Sequence, residues 1–123
     1  MTRRKLLVVD DEPHVGTALR RLLSREFDVA TTTQAQAALD MLQRGEQFDL
    51  IICDLMMPEM TGMDFHERLA ECCPQELRKV VFLTGGAFTD RARQFLNHQT
   101  NPVLEKPVEP EVLRDVVRRM VHP

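Results

Sequence analysis

Residues 6–13 read Leu-Leu-Val-Val-Asp-Asp-Glu-Pro, four consecutive apolar residues set directly against three acids and a proline. An apolar run this short is below helical length and has no polar side, which predicts a strand buried on both faces. Pro13 suits the first position of a helix. Val15, Leu19, Leu22 and Leu23 then recur at helical spacing, so that helix carries a single apolar stripe. The first unit is therefore a buried strand, an acidic loop and an amphipathic helix.

The same unit repeats along the chain. Further strands are expected over 27–32, 48–53, 80–83 and 102–104. Between and after them fall helical stripes. The second is Ala35, Ala38, Leu39 and Leu42, stopped by Gly45. Pro58 and Gly62 break the chain before the third, Met63, Phe65 and Leu69, which ends ahead of Pro74. The fourth is Phe88, Ala92, Phe95 and Leu96, and the fifth Val112, Leu113, Val116, Val117 and Met120. Five βα repeats predict an α/β fold: a five-stranded parallel sheet covered by helices on both faces. Right-handed crossovers favour the flavodoxin-like strand order 2-1-3-4-5. No linker or low-complexity stretch interrupts residues 1–123, which are expected to form one domain with no appended output module.

In an open α/β sheet, ligands bind beyond the carboxyl ends of the strands. Asp10, Asp11 and Glu12 follow the first expected strand, Asp54 the third, Thr84 the fourth and Lys106 the fifth. In the favoured order these strand ends are neighbours. Each residue alone has an ordinary explanation: an acid pair favours a helix start, and Asp54 can cap a turn. Their coincidence points to a shared crevice. Two unit charges about 4 Å apart repel by about 4 kcal/mol at an effective dielectric of 20. Three adjacent aspartates thus call for Lys106 and a hard divalent cation, and an all-oxygen set suits Mg²⁺ rather than zinc. One carboxylate can then act as a nucleophile toward a phosphoryl group, with Lys106 and the Thr84 hydroxyl binding its oxygens. Gly85 and Gly86 are expected to let the backbone approach that group closely, with the Thr84–Gly85 peptide able to donate a further hydrogen bond.

Composition narrows the function classes. Hydrophobic residues make up 43% and charged residues 28%, with a formal net charge of −3. That profile fits a soluble globular protein and not a nucleic-acid surface. The basic runs Arg3-Arg4-Lys5 and Arg118-Arg119 are short and read as solvated ends. No stretch reaches the ~18–20 apolar residues of a membrane span, and the apolar run after the basic N-terminus is too short for a signal peptide. A cytoplasmic location is expected, with no membrane or direct nucleic-acid partner. Cys53 lies in an apolar run and should be buried. Cys72 and Cys73 are adjacent, a spacing suited neither to an ordinary disulfide nor to a zinc site.

Read together, VVDDE, CDLMMPEMTG, LTGG and EKP resemble the receiver domain of two-component response regulators, over residues 6 to about 120. The resemblance implies that Asp54 is the phosphoacceptor and that a histidine kinase or phosphotransfer protein is the donor. Asp11, Asp54 and the backbone carbonyl of Met56 would bind Mg²⁺ directly, and Asp10 through metal-bound water. Thr84 would be the switch hydroxyl and Lys106 would pair with the phosphoryl group. Pro107 would hold its loop, often through a cis bond. Such domains are phosphoacceptor switches with self-catalysed phosphorylation and dephosphorylation, not enzymes acting on outside substrates. The downstream partner is not named by the sequence. The stretch LTGGAFTDRARQFL with NPVLEKP is similar to receivers at the C-terminal end of hybrid sensor histidine kinases.

Two positions depart from the family. Val103 stands where an aromatic is common, three residues before the lysine, and Val108 where an aromatic often follows Lys-Pro. A valine has a stiff, small rotamer set and cannot swing as a ring does. Two other functions compete. A phosphatase with an aspartyl-phosphate intermediate typically carries a second acid two residues after the nucleophile, and Met56 occupies that position. A scaffold indifferent to phosphorylation would not need the full set of pocket residues.

Overall fold

The computed structural model describes residues 3–86 and 89–122. Five strands, β1 (Lys5–Val9), β2 (Asp28–Thr32), β3 (Leu50–Asp54), β4 (Val80–Thr84) and β5 (Val103–Glu105), alternate with five helices. The helices are α1 (Pro13–Leu23), α2 (Ala35–Gln43), α3 (Gly62–Cys72), α4 (Asp90–His98) and α5 (Pro110–Val121). All strand pairs are parallel, in the order β2-β1-β3-β4-β5. The expected fold and strand order are thus observed. The fourth helix starts at Asp90; Phe88, expected on its stripe, lies outside the described residues. A 3₁₀ segment, Pro74–Lys79, joins α3 to β4 and was not anticipated.

Strand pleating explains why β1 after Lys5 and β3 before Asp54 are apolar at every position. Leu6, Val8, Leu50 and Ile52 face one way and pack with Leu19 and Leu23 of α1 and Leu113, Val117 and Val121 of α5. Leu7, Val9, Ile51 and Cys53 face the other way, against Leu39 and Leu42 of α2 and Phe65 and Leu69 of α3. Both cores run the length of the central strands, so their carboxyl ends have little freedom to separate.

The sheet edges differ from its centre. β5 has three residues, preceded by Pro102 and followed by a cis Lys106–Pro107 bond. β2, at the opposite edge, is only partly buried and carries exposed Asp28 and Thr31. Among the described residues, no helix is long and apolar enough to cross a membrane.

Candidate functional site

The two β-strand ends expected to stop before Asp54 and Thr84 in fact include them, as the last residues of β3 and β4. Asp10 follows β1 directly, and Lys106 follows β5. By strand alternation Asp54 shares the side of Ile52, and Lys106 that of Leu104, so both lean toward α1 and α5. Thr84 shares the side of Phe82 and leans toward α3 and α4.

Three carboxylates converge at these ends. One oxygen each from Asp10, Asp11 and Asp54 lies within 4.8 Å of the others. Asp10 and Asp54 are buried, and Asp11 is partly exposed at the mouth. Lys106 reaches in from β5: its Nζ is 2.8 Å from Asp10 Oδ2 and 3.4 Å from Asp54 Oδ2. A third carboxylate, Glu12, lies 3.7 Å from the same Nζ, a role that its helix-start position in the sequence did not suggest. The Glu12 N–H donates to Asp10 Oδ1 at 3.0 Å, fixing that carboxylate against the start of α1.

One ammonium does not neutralise this group. Burial and the Asp10 charge push Asp54 up to about 6, while Lys106 pulls it down and Asp11 pushes it up further. Burial pulls Lys106 down, but its close contact with the Asp10 carboxylate and the two aspartate charges more than offset this, leaving it above the ordinary lysine value. At neutral pH Asp54 is therefore mainly ionised, in a site with excess negative charge. Asp10 Oδ2, fully buried, is close to Lys106 but not aligned as a hydrogen bond, so its acceptor capacity remains. This all-oxygen donor set with surplus negative charge fits a hard divalent cation such as Mg²⁺.

Thr84 is not joined to the carboxylates. Its Oγ1 accepts the Gly86 N–H at 3.4 Å, folding the β4–α4 loop back on its own strand end. Gly86 sits at φ +90°, which explains the glycine. A Cβ at Gly85 or Gly86 would meet no protein atom within 4 Å. A close approach of backbone to backbone occurs at Gly62. A Cβ there would lie 2.6 Å from the Asp54 carbonyl oxygen and 2.8 Å from the Leu55 Cα. The Gly62 N–H donates to Leu55 O at 2.8 Å, and the Leu55 N–H to Leu83 O at 2.8 Å. The backbone that carries Asp54 is thus fastened to β4 and to the start of α3. Thr61 closes that start with a reciprocal capping box to Asp64.

Val103 pairs in register with Phe82 and packs at the edge of the core under α4. The rings on this side come instead from Phe82, Phe95 and His66. Phe95 stands edge-on to Phe82 and to His66, with centroids 5.2 Å apart in each pair. The Met56 side chain is exposed beside Asp54.

Comparison with known proteins agrees with this architecture. The model of the response regulator receiver domain matches residues 6–118. The response regulator Rre1 of Synechocystis sp. is 35% identical over 118 residues, 94% of this chain and 51% of that protein. The aerobic respiration control sensor protein ArcB of Escherichia coli is 36% identical over 117 residues, 93% of this chain and 14% of that protein. The chain spans about half or less of the length of these curated relatives. The crystal structure of a response regulator receiver domain protein from Clostridium thermocellum superposes with a TM-score of 0.82 at 26% identity, covering 96% of this chain and 94% of that one. The matched sequence, the strand order and the buried acidic crevice make this chain a member of the response regulator receiver domain family, a family of two-component signalling whose general property is phosphorylation on aspartate.

Proposed function

We propose that residues 1–123 act as one receiver unit in which Asp54 accepts a phosphoryl group from a phosphohistidine of a histidine kinase or phosphotransfer protein, in the cytoplasm. The observation that carries this reading is the buried, ionised Asp54 carboxylate, set beside Lys106 and two further aspartates at adjacent strand ends. In the transfer, an Asp54 carboxylate oxygen forms a bond to phosphorus as the phosphorus–nitrogen bond to the donor imidazole breaks, and the imidazole leaves with a proton. Lys106 holds an oxygen of the arriving group as a point charge. Asp11, Asp54 and the Met56 carbonyl would hold a Mg²⁺ ion directly, and Asp10 would act through water; the ion would supply positive charge to offset the negative charge that builds on the phosphoryl oxygens. Hydrolysis of the aspartyl phosphate by the domain itself returns it to the starting state, so it is a switch and not an enzyme for outside substrates.

The Thr84 hydroxyl faces the side of α4 and is held by Gly86. On phosphorylation it leaves the Gly86 N–H and donates its own O–H to a phosphoryl oxygen, drawing in the loop that leads to α4. To shift a two-state domain from about 1:99 to 99:1, the phosphoryl group must favour one state by about 5.5 kcal/mol. The test is backbone NMR during titration of Mg²⁺ with beryllofluoride, in wild type and Asp54→Ala. Shifts centred on Asp11, Asp54, Thr84 and Lys106, absent in the variant, support the reading. No response in wild type overturns it.

A further inference from the structure

The foot of α3 holds two thiols in contact, away from the carboxylate crevice. Cys72 is the last residue of α3 and is exposed; Cys73 follows it and is buried. Both are free, and their sulfur atoms lie 3.1 Å apart, with the Cys72 thiol turned toward Cys73. The pair is held in place by backbone. The Cys73 N–H donates to Leu69 O at 2.8 Å, and the Cys73 carbonyl accepts the Glu76 N–H at 2.9 Å. The hydrogen bond from Cys72, burial and the nearby Glu76 charge push the Cys73 thiol up to about 11.

A disulfide is a poor use of this pair. Adjacent Cα atoms lie about 3.8 Å apart, short of the ~4.4–6.8 Å that an unstrained bridge spans. A soft ion held between the sulfurs asks for no such distortion, and thiolate pairs select soft ions. With metal–sulfur bonds of about 2.3 Å, the observed sulfur spacing subtends roughly 85°, whereas a tetrahedral ion would spread the sulfurs to about 3.8 Å. A bite near a right angle matches a pyramidal trivalent metalloid, which keeps a lone pair and leaves its third position for another group.

We propose that Cys72 and Cys73 form a bidentate site for a thiophilic trivalent metalloid of the arsenic(III) type. With an organoarsenic oxide, two arsenic–sulfur bonds form and two sulfur–hydrogen bonds break. The arsenic–oxygen bond breaks too, and the oxygen leaves as water with both thiol protons. Arsenic stays trivalent, so no oxidant or reductant takes part. Cys72 lies ten residues beyond Gly62, about 15 Å along the helix axis. Occupancy here is therefore read independently of Asp54.

The test treats the full chain with phenylarsine oxide and follows intact mass. Wild type should gain one phenylarsenic group per chain with loss of one water, keep it against excess monothiol, and surrender it to a small dithiol. Cys72 is exposed, so Cys72→Ser should fold normally, which circular dichroism checks. In that variant the monothiol concentration needed for release should fall by about 10²-fold or more, the gain of a second, intramolecular contact having been lost. Cys53→Ala should behave as wild type, because Cys53 lies inside the sheet. Retention by Cys72→Ser equal to wild type, or failure of wild type to gain the phenylarsenic group, overturns the proposal.

Discussion

Helices α3 and α4 flank the same side of the crevice but are held in different ways. α3 buries Met63, Phe65 and Leu69, starts in a capping box, and sets Gly62 against the backbone of Asp54 and Leu55. α4 has nine residues and buries only Ala92, with Phe95 and Leu96 partly covered. Its ties to α3 are the edge-on contact of Phe95 with His66 and exposed ion pairs of Arg91, with Asp64 at 2.8 Å and with Glu67 at 3.4 Å. Exposed pairs contribute little. The contrast teaches that β3 and α3 make a fixed block around Asp54, while α4 is the part of the site able to shift at low cost.

The sharpest way to break that contrast is at Gly62. Gly62→Ala forces a methyl group into backbone, and should cost about 1–3 kcal/mol in urea denaturation. A near-neutral result would mean that the block is not fixed. Next in size is Asp54→Asn in metal-free protein. The Asp54 pKa is raised by folding, so its ionised form destabilises the fold, and the amide should stabilise it by about 1–2 kcal/mol at pH 7. The gain should shrink as pH falls through about 6 and vanish below the unfolded value of 3.8, which a denaturation series across pH will show.

The two helix caps sharpen the comparison further. Thr61 and Thr89 each accept a backbone N–H at 3.1 Å, from Asp64 and Ala92. Replacing either by alanine should cost about 1 kcal/mol locally. For Thr61→Ala the loss should appear in global unfolding, and for Thr89→Ala mainly as faster amide exchange within α4. The smallest effect concerns His66, whose ring abuts Phe95 of α4. Burial holds its pKa below the ordinary value of 6.5, with Glu67 opposing. Contact with α4 is therefore fully kept above pH 6.5 and weakened as the pH falls below it. Amide protection in α4, corrected for the intrinsic pH dependence of exchange, should fall on acidification in wild type and not in His66→Phe.

Much of this was readable in the chain because the signals are local. An apolar run ending in an acid marks a strand end, so Asp10, Asp54 and Lys106 could be placed together once the strand order was inferred. What the sequence hid depends on chain return. The need for glycine at Gly62 arises because residue 62 comes back over Asp54 and Leu55. The 3₁₀ segment Pro74–Lys79 has no apolar period of its own. It is held partly by Asn101, whose side-chain amide donates to Leu77 O and Val80 O at 2.7 and 2.8 Å. Nor did helix periodicity reveal that Phe95 would meet Phe82 and His66.

The edges of the sheet bear on how such a unit behaves in company. β5 is three residues long with prolines on either side, and β2 presents Asp28 and a threonine to solvent. Neither offers a long, flat row of free amides and carbonyls to a neighbouring chain. Copies crowded together, or joined to other folded units, have no ready template for adding strand to strand, so the domain can be concentrated without seeding aggregation through its sheet.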